Sequence, residues 1–187
     1  MGGVGGRTAE ITGTAILAAL VVVFDYTLKF SGLKIPFPWL PFLKFDFTGI
    51  PIVLSLFLHG LSSGATTSVV AFLAIVARSG DLVAAGMKGL AEFSTVLGMS
   101  VGLYLPGRFR KVMSVFAGVA LRVASMSVMN IVVLPSYYGI PFAVAVGLLP
   151  MIGVFNAIQG SITVVIGYLL YEAYTRRVPT GRSGPPP

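Results

Sequence analysis

The chain has 187 residues, of which 56% are hydrophobic and 10% charged, with 13 Lys and Arg against six Asp and Glu, one His and no Cys. A soluble surface needs roughly 25% charged residues, so a mean hydropathy of +0.93 excludes an ordinary soluble domain and points to an integral membrane protein. The net charge of +7 is spread over loops and ends, which suits anionic lipid headgroups and argues against nucleic acid as a partner; without Cys there are no disulfides and no thiolate metal sites.

Residues 1–9 read as a flexible tail. "MGGVGG" has Gly6 where a myristoylation signal needs Ser or Thr, and "GVGGRT" lacks the third Gly of a dinucleotide loop. The apolar stretch behind Arg7 runs on to Phe30 with no clear cleavage site, so it is read as a span and not as a signal peptide. Six apolar segments follow: Glu10 to Phe30, Thr48 to Leu61, Ser63 to Ala77, Gly86 to Leu105, Lys111 to Leu134 and Met151 to Tyr174. A span needs about 20 apolar residues, so the expected fold is all-α, a bundle of six transmembrane helices over residues 10–175. The second and third segments are short and read as a tight hairpin or as partly re-entrant helices. Residues 176–187, basic and Pro-rich, are expected to form a disordered tail. No inverted internal repeat is visible.

Six spans put both termini on one side. Arg7, Arg108, Arg110, Lys111, Arg176, Arg177 and Arg182 then face Lys29, Lys34, Lys44, Arg78 and Lys88 on the other side. The positive-inside bias makes the termini cytoplasmic in a multi-pass cell-membrane protein, with the first loop and "LPSYYGIPF" outward.

Counted from the segment ends, Asn130, Asn156 and Glu92 each lie about 6 to 9 Å below the outer surface. Buried polar groups in a membrane usually face the bundle interior, so three at one level suggest a polar cup open to the outside. Gln159, three residues after Asn156, extends the same helical face. An amide offers a donor and an acceptor side by side, which suits a planar heterocycle with alternating C=O and N–H groups. Trp39, Phe42, Phe45, Phe47, Tyr137 and Tyr138 could cover such a ring, or form an interfacial aromatic belt. Each polar group also has a structural reading. An Asn can bond helix to helix, Glu92 can form a solvated i, i+4 pair with Lys88, and Arg122 can snorkel, reach Glu92 or touch substrate. His59 has no second His or acidic partner for metal or triad chemistry, and no nucleotide-binding loop is present, so neither a catalytic nor a metal site is expected.

Three ordered blocks carry a family resemblance. "PFLKFDFTGIP" resembles the first-loop signature of riboflavin-binding S components of energy-coupling factor (ECF) transporters, "MNIVVLPSYYGIP" is similar to the end of that family's fifth helix, and "FNAIQGSI" to its sixth-helix block. Ala15 and Ala19 add an AxxxA spacing of the kind S components use to dock on the coupling subunit. The resemblance implies a vitamin-binding subunit, with riboflavin as transported ligand and no cofactor. Its partners would be a transmembrane coupling subunit (EcfT) and two ATPases (EcfA type) that hydrolyse ATP. Asn130, Asn156 and Gln159 fall where the family contacts the flavin ring, and Leu43, Lys44, Phe45, Asp46 and Phe47 form the loop that covers it. Gln159 stands where the family pattern has Lys, and Arg122 has no counterpart in it. Lys44 and Asp46 are then the loop's wet face or contacts for a polar ligand side chain. Rival readings are an S component for another vitamin or nucleobase-like compound, a non-catalytic structural membrane subunit, and an integral membrane enzyme.

Overall fold

A computed structural model of the chain describes residues 4–107 and 109–177. In order these form helix α1 (Val4–Phe30), strands β1 (Ile35–Phe37) and β2 (Leu40–Phe45), then helices α2 (Gly49–His59), α3 (Leu61–Ser79), α4 (Leu82–Tyr104), α5 (Arg110–Ser136) and α6 (Phe142–Arg177). Helix α1 begins at Val4, so residues 4–9 continue the first helix where a tail was expected. Arg108 and Arg182, counted above as terminal-side charges, lie outside the described residues, as does the tail beyond Arg177.

Among the described residues five helices are long and apolar enough to cross a membrane; α2 is the exception. Its 11 residues cover about 16 Å at 1.5 Å per residue, roughly half of the hydrocarbon thickness. Of the two segments read as short, the second is a half-length helix as expected, while the third extends over Leu61–Ser79 and is long enough to cross. The chain turns at Gly60 straight into α3, and before α2 the strands β1 and β2 form an antiparallel hairpin, pairing Ile35 with Phe45 and Pro36 with Lys44, that occupies one end of the bundle. Phe37, Leu40, Leu134, Ala145, Ile152 and Phe155 form a buried cluster beneath it. Phe37 and Phe45 each meet the Phe155 ring, at centroid distances of 5.5 and 4.9 Å, so the hairpin is bonded to α6 by aromatic contact.

The turns follow from local chemistry. Gly80 takes the left-handed conformation that ends α3, and the Asp81 carboxylate then accepts from Ala84 N–H to start α4. Two helices run further than apolar segmentation suggests. Pro135 stands in the last turn of α5, and α6 starts at Phe142 and runs 36 residues through Pro150, where one backbone bond is missing but the helix continues, as membrane helices tolerate. A second buried cluster, including Val21, Ile52, Val53, Val96, Met99 and Val164, joins α1, α2, α4 and α6 near mid-bundle. Helices α4 and α5 approach closely at Gly98 and Gly102, where a Cβ would run into the Ala117 and Ser114 backbone, and Ser114 Oγ donates to Met99 O at 2.8 Å across the same contact.

Candidate functional site

A cavity of about 620 Å³ lies beneath the hairpin, within the size range of small-molecule sites. It is bounded by the last turns of α1 and α3, the first turns of α4, the later half of α5 and the middle of α6. Each of those elements reaches it at the end of the bundle away from Val4 and Arg177. Asn130, Asn156 and Gln159 all line it, together with Leu43, Lys44 and Asp46 of the loop, Arg122, Phe155 and Met126. Of the aromatics named from sequence, Phe42 and Tyr138 line the cavity. Trp39 and Tyr137 are exposed away from it, at 63% and 57%.

The ionised groups form one chain of contacts. Arg78 Nε and Lys34 Nζ each lie 2.7 Å from the Asp25 carboxylate. Lys34 also reaches Asp46 at 3.8 Å. Lys88 Nζ bridges Asp46 Oδ1 at 2.7 Å and Glu92 Oε1 at 2.8 Å, and Arg122 Nη1 meets the same Glu92 oxygen at 3.2 Å. Arg122 goes on to donate from Nε to Asn156 Oδ1 and from Nη1 to Thr95 Oγ1. The sequence expectation of a Lys88–Glu92 pair holds, and so does an Arg122–Glu92 contact, but the pair is not solvated. Glu92 is fully buried, and neither of its oxygens accepts a hydrogen bond of good geometry. It is held by charge, with the first turn of α2 against it. A Cβ at Gly49 would strike the carboxylate, so glycine there lets the positive end of α2 approach an anion.

The two loop charges, read from sequence as a wet face or as contacts for a polar ligand side chain, do not behave alike. Lys44 is exposed, while Asp46 is buried at 6% and turned inward. Its carboxylate also accepts from Thr48 Oγ1 at 2.6 Å and Thr48 N–H at 3.3 Å, an Asx-type turn into α2. Burial alone would raise its pKa, but the Lys88 ammonium, then Lys34, outweigh that and hold the group down to about 2. Phe47 is 37% exposed, while Phe45 packs inward against Phe155. Successive strand side chains alternate in direction, so Phe45 inward along the sheet sends Lys44 out; beyond the strand end the Asx turn reorients Asp46 and Phe47.

The polar set is not a single level. Asn156 and Glu92 meet Arg122, which stands eight residues before Asn130 on α5, about 12 Å along the axis, so Asn130 lies nearer the mouth. Asn130 Nδ2 donates to Met126 O and Asn156 Nδ2 to Ile152 O. The Asn130 carbonyl makes no hydrogen bond among the described residues. Gln159 is used on the loop: its Oε1 accepts from Asp46 N–H at 3.3 Å and its Nε2 donates to Asp46 C=O at 2.7 Å. One side-chain amide thus pairs with both backbone groups of a residue 113 positions away, as a neighbouring strand would. Asp25, Lys34 and Arg78 were not singled out from sequence as site residues. A carboxylate inside the first apolar segment was the available signal for Asp25.

No family model matches the chain, and no curated protein matches it in sequence. Among solved structures it is similar to one described as the S component of a bacterial ECF transporter, with a TM-score of 0.76 and 23% identity, over 91% of this chain and 98% of the other. The chain therefore has the fold of an ECF transporter S component.

Proposed function

We propose that this protein is the substrate-binding S component of an ECF-type transporter and that its ligand is a vitamin carrying a planar heterocycle, riboflavin or a related flavin. The observation that carries the reading is the cavity under the hairpin, where Asn130, Asn156 and Phe155 converge in a chain with the S-component fold. The Asn130 carbonyl offers an acceptor to a ring N–H and Phe155 an apolar face to the ring. Leu43 to Phe47 closes over the ligand, with Gln159 fastening that loop through Asp46. Transport requires partners. Ala15 and Ala19 are exposed on α1 among outward Ile11, Ile16 and Val23, and this small-residue face is assigned to the transmembrane coupling subunit, with two cytosolic ATPases supplying ATP hydrolysis.

Titration of the purified protein with riboflavin, followed by flavin fluorescence, tests the assignment: saturable quenching is expected, and its absence in both lipid and mild detergent sinks it. If another vitamin is the ligand, mass spectrometry of the purified protein will show a different co-purifying compound. A purely structural role for the amides predicts that Asn130→Ala and Asn156→Ala lower stability with no ligand effect.

A further inference from the structure

The wall of the cavity is far more positive than its ligand reading requires. Lys29, Lys34, Lys44, Arg78, Lys88 and Arg122 all line it, and Asp46 is the one acidic residue among them. Two more carboxylates stand behind the wall: Asp25 holds Lys34 and Arg78, and Glu92 holds Lys88 and Arg122. Six cations against these three acids leave a surplus of three positive charges around one partly enclosed space.

The surplus is not spread evenly. Lys88 and Arg122, in the deeper part, are committed to Glu92, Asp46 and Asn156. Toward the mouth, Lys29 and Lys44 make no ion pair among the described residues, and Arg78 uses Nε on Asp25, leaving its two terminal nitrogens without a partner there. Asp25, 1% exposed, does not line the cavity; it pins Arg78 and Lys34 from behind. Lys29 and Lys44 are exposed and hydrated, so they draw an anion by attraction at the rim of the partly enclosed space, where the fork of Arg78 adds directed donors.

We propose that the ligand is an anion: its ring enters the amide-lined depth, and an oxyanion, a phosphate or a carboxylate, is received at the mouth by Lys29, Lys44 and the free edge of Arg78. The ring's placement rests on the flavin-type reading above; the anion subsite rests only on the charge distribution.

Riboflavin and riboflavin 5′-phosphate differ by one phosphate and form the probe pair. Titrated into the full chain in uncharged detergent, the phosphate ester is expected to bind about tenfold or more tightly than riboflavin, with a preference that shrinks as salt rises and narrows severalfold in Lys29→Gln and Arg78→Gln. Equal affinities, or a preference for neutral riboflavin, overturn the proposal. Inorganic pyrophosphate is tested in parallel by thermal shift. If neither flavin binds, the flavin reading fails, while stabilisation by pyrophosphate that is lost in Lys29→Gln still upholds the anion subsite; no stabilisation overturns it too. Lipid headgroups carry the same chemistry, so phosphatidylglycerol is added in a third arm. Stabilisation by that lipid and by neither soluble anion assigns the cations to the membrane surface and overturns the proposal.

Discussion

Asp46 and Gln159 show how much one residue contact can decide. Replacing Asp46 by Asn leaves the fold's backbone bonds to Gln159 in place but removes the carboxylate between Lys34 and Lys88. Lys34 keeps Asp25 and Lys88 keeps Glu92, so the cost stays below the about 3 to 5 kcal/mol of a buried charge left alone, and Asp46→Asn is expected to lower the thermal midpoint of the purified protein modestly. The pH dependence has a defined sign. The folded pKa of about 2 lies below the ordinary 3.8, so Asp46 contributes fully above pH 4 and loses that contribution as pH falls from there through 2. Circular dichroism of the wild type between pH 7 and 5 should show no Asp46-linked change, and a loss confined to that upper window would contradict the pairing. Gln159→Ala removes two hydrogen bonds to the loop, each worth about 1 kcal/mol. Hydrogen exchange at residues 40–48 is expected to accelerate by roughly tenfold or more, with the α3–α4 turn unchanged.

At the scale of elements, the short α2 and the glycine contact between α4 and α5 depart furthest from what segmentation shows. Thr48 to Leu61 is apolar throughout and reads as a span. The helix nonetheless starts at Gly49, after the Asx turn at Thr48, and ends at Gly60, where the chain turns at once into α3. Segmentation also broke α6 at Pro150, because the loss of one N–H argues for an end only when no neighbouring group shields the freed carbonyl. Gly102→Val is expected to force α4 from α5 at Ser114 and cost about 1 to 3 kcal/mol, read as a lowered melting temperature in detergent. On α1, Ala15→Leu with Ala19→Leu fills the proposed coupling face. Vitamin uptake by cells carrying the partner subunits should fall by an order of magnitude or more, while the isolated protein keeps its ligand affinity; unchanged uptake would remove α1 from the coupling interface.

For the whole molecule, the order of α1 to α6 sends Lys29, Arg78, Lys88 and Tyr138 to the end of the bundle that carries the hairpin and cavity, with Tyr104, Arg110 and Arg177 at the opposite end. We place that cavity end outside the cell. The absence of Cys makes a clean test possible: Ser31→Cys should react with a membrane-impermeant maleimide in intact cells, and Ser183→Cys only after lysis.

The sequence by itself determined that this chain lives in a membrane and that helices build it, and it nominated Asn130, Asn156, Gln159 and the segment from Leu43 to Phe47 as candidates, because hydropathy, helical spacing and ordered sequence blocks are local properties. Only the tertiary structure decided that Asp46 faces inward, that Gln159 grips its backbone, and that Asp25, Lys34, Arg78 and Lys88 join Glu92 and Arg122 in one charged wall. Those contacts link residues as far apart as 113 positions. Whether a charge in a membrane protein is wet, paired or free depends on which helix stands opposite it, and that is set by packing.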